Sequence, residues 1–94
     1  MKTILLPSAI KEIEDIAFFY DYRSAGTGLA FTNEFWEALE LIETFPTGFQ
    51  EVGPNTRKCV LRKFPYLILF IIEEDHIVIA AVAHQHRHPR IYLR

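Results

Sequence analysis

The sequence predicts an α+β fold in which a helical hairpin packs on a small, mainly antiparallel sheet. Two observations carry this expectation. Residues 7–45 hold two apolar stripes of helical period, separated by a glycine-containing break at residues 23–28. Residues 66–83 hold two short apolar runs, YLILFII and IVIAAVA, separated by Glu73, Glu74, Asp75 and His76. Each run is too short for a typical helix and rich in the residue types of buried strands. The element order read from the chain is strand, helix, helix, strand, strand, strand.

Taken in order, residues 2–6 (KTILL) read as a first short strand. Pro7 opens a helix, because its missing N–H costs nothing in a first turn. Ile10, Ile13, Ala17 and Tyr20 form its stripe, widened by Ile16 and Phe19. Gly26 and Gly28 permit positive φ and a sharp reversal between the helices. The second helix is expected over residues 29–45, with Phe31, Phe35, Leu39 and Ile42 inward and Ala38 and Phe45 alongside. Glu34, Glu37 and Glu40 are assigned to its solvated side, and Pro46 and Gly48 stop it. Tyr20 and Tyr22 are expected to close the hairpin, and Trp36 lies beside the apolar stripe.

Residues 47–55 read as a loop with a turn at Pro54-Asn55. Residues 57–64 alternate as a strand, with Cys59 and Leu61 on one face and Val60 and Phe64 on the other. Pro65 cannot donate to a ladder and marks the break before Tyr66. The two apolar runs then form an antiparallel hairpin. Neither helix can bury its stripe alone, so the helical hairpin is expected on one sheet face.

Length and composition bound the function. The 94 residues make a single domain, 1–94, and an apolar content of 50% excludes a disordered chain. One cysteine, Cys59, excludes an intrachain disulfide and a cysteine-based zinc site. A reducing cytoplasm is the expected location. The opening residues are broken by Pro7 too early for a secretion signal, and no apolar run approaches the roughly 20 residues that span a bilayer. The overall charge of −2 hides an asymmetry: three basic against nine acidic residues up to position 54, then seven basic against three acidic. Two surfaces with different partners are expected, the basic one facing an acidic protein or nucleic acid.

The alternating His84, His86 and His88, with arginines nearby, suit acid–base chemistry near neutral pH if they share one side of an extended segment. The competing reading is a row of solvated side chains beyond a strand end. The tail offers no carboxylate or cysteine to complete a metal site, so neither metal nor cofactor is expected.

Taken together, LPSAIKEIEDIAFFY, FTNEFWEALELIETFP, Arg57 followed after six intervening residues by Phe64-Pro65-Tyr66 and an apolar strand, and the ending AVAHQHRHPRIY resemble the RelE/ParE superfamily of toxins from type II toxin–antitoxin modules. The resemblance implies an α+β toxin domain, neutralised by a cognate antitoxin and meeting operator DNA only through it. The FPY element and the His-Gln-x-Arg-x-Pro tail look more like the ParE branch, whose members bind and poison DNA gyrase. The other branch cleaves mRNA on the ribosome. Its arginine after the tyrosine falls on Leu67, and of two alternating basic residues one falls on Lys58 and the other on Val60.

The expected target- or antitoxin-binding set is therefore Arg57, Arg62, Lys63, His84, Arg87 and Tyr92. A nuclease would draw on Lys58, His86, Arg87 and Tyr92. A detoxified relative that binds only its antitoxin is the third reading. No membrane partner is implied.

Overall fold

The computed structural model describes residues 2–86. The elements are β1 (Lys2–Leu5), α1 (Pro7–Arg23), α2 (Thr27–Thr44), a 3-10 turn (Pro46–Gly48), β2 (Gln50–Gly53), β3 (Thr56–Val60), β4 (Tyr66–Ile72) and β5 (His76–His84). The five strands form one mixed sheet in the order β1-β5-β4-β3-β2. Only β1 and β5, the first and last strands of the chain, run parallel; every other pair is antiparallel. The expected order of strand, two helices and later strands is observed. A short strand, β2, lies inside the segment read as a loop.

The helical hairpin closes through glycine and one carboxylate. Gly26 adopts φ 90°, the left-handed region an L side chain resists. The Asp21 carboxylate accepts the N–H groups of Gly26 at 3.2 Å and Gly28 at 2.8 Å, so the last turn of α1 caps the first turn of α2. Gly28 itself is needed for space. A Cβ there would sit 2.4 Å from the Ala17 carbonyl oxygen and 2.7 Å from the Asp21 carboxylate. Gly28→Ala is expected to push the helices apart and cost about 2–3 kcal/mol, read from the urea midpoint at unchanged slope.

The core lies between the hairpin and one sheet face. Phe31, Phe35, Leu39 and Ile42 of α2 and Ala9 and Ile16 of α1 meet Cys59, Ile68, Phe70, Ile77, Ile79 and Val82. The α2 stripe is as expected apart from Phe45, which is exposed, and Glu34, which is buried. On α1 the stripe is rotated: Ala9, Ile13, Ile16, Ala17 and Tyr20 face inward, while Ile10 and Phe19 face outward. Tyr20 joins an aromatic cluster with Phe31, Phe64 and Tyr66. Tyr22, at 84% exposure, does not close the hairpin. Phe64 is also corrected. The strand ends at Val60, and the turn that follows swings Phe64 inward onto Phe31, with ring centroids 5.3 Å apart.

The two late runs are buried strands, as expected. Leu67 to Phe70 are buried on both faces, with Leu67, Leu69, Ala81 and Ala83 forming a second cluster opposite the helices. Glu73 N–H donates to the His76 carbonyl at 2.8 Å and closes the β4–β5 hairpin. Register within this hairpin shifts once: Phe70 opposes Ile79 but Leu69 opposes Ala81, leaving Ala80 as an extra residue. That bulge inverts the alternation. Ile77 and Ile79 face the helices before it, Val82 and His84 after it.

Candidate functional site

The bulge decides where the histidines go. Without it, His84 would share the face of Leu67 and Leu69. With it, His84 pairs with Tyr66 on the helical side, their rings 5.4 Å apart. His86 lies in the turn beyond, its ring 5.0 Å from that of His84. The His86 N–H donates to His84 Nδ1 at 3.2 Å, so a neutral His84 carries its proton on Nε2. A groove of ≈ 440 Å³ runs from here along α1, past Glu12, Asp15, Tyr66 and Val82. Glu12 secures it. Parallel pairing to β1 stops at Ile79, and Glu12 Oε1 accepts the Val82 N–H at 2.9 Å on the strand edge left open.

The basic residues divide into two groups. Arg62 and Lys63 form the exposed turn between β3 and β4. This turn shares one end of the sheet with the histidines, because the Gln85 N–H donates to the Pro65 carbonyl at 2.9 Å. Arg57 is set apart. Its Nη1 donates to the carbonyls of Thr47 at 3.2 Å and Phe49 at 2.8 Å, fastening the 3-10 turn to β3. Its Nε has no partner among the described residues. Lys58 opposes Leu69 and projects from the other face of the sheet. The structure thus places Arg62, Lys63, His84 and His86 at one end of the sheet, and sets Arg57 and Lys58 apart from them. Arg87 and Tyr92 lie outside the described residues.

What holds the basic turn is Glu34, a residue assigned above to the solvated side of α2. It is only 8% exposed. Its carboxylate accepts the main-chain N–H groups of both Arg62 and Lys63, the latter at 3.1 Å. A buried carboxylate needs such donors, and a turn with two adjacent free N–H groups supplies them. The sequence does carry a signal for this: Glu34 falls three residues after Phe31 and one before Phe35, on the inward stripe. Burial, and secondarily the Glu34 charge, push the Cys59 thiol above its ordinary range, so it stays protonated and inert. Burial and neighbouring Tyr66 likewise raise the Tyr20 phenol.

Chemically, the described residues at this end of the molecule offer cations held by hydrogen-bonded backbone. Leu67 is buried at the position where the resemblance to nucleases calls for an arginine. Among the described residues no three His, Cys, Asp or Glu side chains converge on a metal position. No helix among them is long and apolar enough to cross a membrane.

Fold and site together define a class: a helical hairpin on a mixed five-stranded sheet, with a carboxylate-anchored basic turn at one end. A family model described as the ParE toxin of type II toxin–antitoxin system, parDE, matches residues 3–89. The chain belongs to that ParE toxin family. Among solved structures, the chromosomal ParDE TA system from P. aeruginosa matches with a TM-score of 0.72 at 15% identity, covering 89% of this chain and 95% of that one. At that identity the likeness attests the fold alone. No curated protein matches the chain in sequence.

Proposed function

We propose that this protein arrests growth by binding DNA gyrase, and that a cognate antitoxin neutralises it. The observation that carries the reading is the turn at Arg62 and Lys63, exposed and positively charged, yet pinned through its main chain by Glu34. A turn whose backbone is fixed before contact loses little conformational entropy on binding, which favours a recognition surface. His84 and His86 extend the same end of the sheet. Family membership supports the toxin role; the gyrase target comes from the resemblance to the ParE branch. Arg87 and Tyr92 are proposed to continue this surface, and Arg57 to support it by holding the neighbouring turn.

The nuclease reading finds less support. Of its candidates, Lys58 stands beside Leu69 on the face away from the helices, whereas the His86 ring lies against His84, which faces them. General acid–base catalysis needs its groups around one reacting phosphate. Induced expression with growth as the readout separates the two. The double variant Arg62→Glu, Lys63→Glu is expected to lower target affinity about 30-fold or more and restore growth, at an unchanged circular dichroism spectrum. Tyr92→Phe is expected to leave arrest intact. Complete loss of arrest in Tyr92→Phe, with target binding retained, would instead indicate chemistry at that phenol.

A further inference from the structure

We propose that the last eight residues, 87–94, fold back as a strap over the sheet face opposite the helices, seating Ile91 and Leu93 on Leu67, Leu69, Ala81 and Ala83. The inference goes beyond the gyrase reading and does not depend on which target the toxin meets.

The sheet face carries it. Leu67, Leu69, Ala81 and Ala83 cluster there with Val52 alongside, and no described residue of α1 or α2 joins them. A sheet that leaves one face to water alternates apolar and polar residues along its strands. The strands β4 and β5 do not, because Ile71 and Val78, paired on the same face, are apolar too. Strands flanking a leucine in the plane of a sheet cannot close over it; that takes a second layer. Yet Leu69 is 1% exposed. The burial is also uneven. It is deepest at the four clustered residues, whereas Ile4 at the β1 edge of this face is 39% exposed and Val60 on β3 is 46% exposed. The covering layer therefore sits over β4 and β5, toward the His84 end.

The chain itself supplies an occupant at that place. Strand β5 ends at His84, and Gln85 and His86 already turn. Eight residues follow, RHPRIYLR. Extended, they would reach about 26 Å, and stepping back along β5 from Ala83 to Ala81 takes about 7 Å. Pro89 suits the reversal, because its fixed φ favours a turn. Beyond it, Ile91 and Leu93 alternate with Arg90, Tyr92 and Arg94. In an extended segment that period puts the two aliphatic side chains on one side and the other three opposite. Ala81 and Ala83 are small, which leaves room above β5 for larger facing side chains. A tethered segment also meets this face at millimolar effective concentration, an advantage that a second copy or a foreign polypeptide lacks. The outward residues would share the face of Lys58, so the strap carries the positive charge of the basic turn around the end of the sheet.

The test uses the full chain with ¹³C-labelled methyl groups, alone and mixed with unlabelled chain. Nuclear Overhauser contacts from the Ile91 and Leu93 methyls to those of Leu69 and Ala81 are expected. In the mixed sample they should be absent from the filtered spectrum that reports contacts between molecules. The double variant Ile91→Asp, Leu93→Asp is expected to lower the urea midpoint by about 0.5–1 M, while Tyr92→Ser leaves it unchanged. Absence of these contacts in the native chain, contacts found only between molecules, or a midpoint more sensitive to Tyr92→Ser than to the aliphatic pair would each overturn the proposal. Failure of the gyrase reading would leave the contacts in place, so the two readings fail separately.

Discussion

Phe35→Ala is expected to remove about 3–5 kcal/mol of stability, the largest effect of any single substitution considered. Phe35 is fully buried on α2, edge-on to Trp36 at 5.2 Å and packed within the cluster that joins both helices to the sheet. Truncation loses the transfer of a whole ring and leaves a cavity that helices tied by Asp21 and Gly28 cannot readily collapse. Domains of this size are stable by only about 5–15 kcal/mol, so the variant should sit near the edge of folding. Urea unfolding measures it, with Phe18→Ala as control. Phe18 is exposed on α1 and its loss should change stability by no more than about 0.5 kcal/mol.

The second large effect belongs to Glu34→Ala, expected to cost about 3 kcal/mol. The variant strands the Arg62 and Lys63 N–H groups beside a partly enclosed groove, and hydrogen bonds to an ionised acceptor are the costly ones to lose. It should also be read at Cys59. Glu34 and Cys59 line the same groove, and the carboxylate helps keep the thiol protonated. Removing it should make the chain's single cysteine react faster with a disulfide reagent at pH 8, under conditions where the protein remains folded. Glu34→Gln retains one acceptor oxygen and should recover part of the loss. Growth arrest should fall in Glu34→Ala even where stability is restored by a second substitution, because the turn is then no longer fixed.

The contrast between these residues shows what sequence pattern can reveal. The α2 stripe was legible because Phe31, Phe35, Leu39 and Ile42 repeat at helical spacing, and β4 because seven apolar residues cannot otherwise be hidden. The strand β2 was not legible: Gln50, Glu51, Val52 and Gly53 carry no alternation, and the element exists only because Thr56–Val60 offers it an edge. The bulge at Ala80 was equally silent, since IVIAAVA is apolar at every position and gives no parity to read. Its consequence, His84 on the helical side beside Tyr66, therefore could not be foreseen from alternation. Three carboxylates escaped for a related reason. Asp21, Glu34 and Glu12 each satisfy main-chain N–H groups of a distant or reversing segment, and composition cannot distinguish such a residue from a solvated one. Glu34 was the exception that spacing could have exposed. At the basic end, the charge of the β3–β4 turn was legible, whereas the separation of Arg57 and Lys58 from it follows from strand faces and a tether to Thr47 and Phe49.

The most direct measurement is a plasmid assay with purified protein, DNA gyrase and ATP, scored for linear DNA after protein removal. The account predicts dose-dependent linear product, suppressed by the cognate antitoxin and lost in the Arg62→Glu, Lys63→Glu variant. Unchanged supercoiling and no linear DNA, from protein that still arrests growth, would contradict it and direct attention to ribosome-bound mRNA.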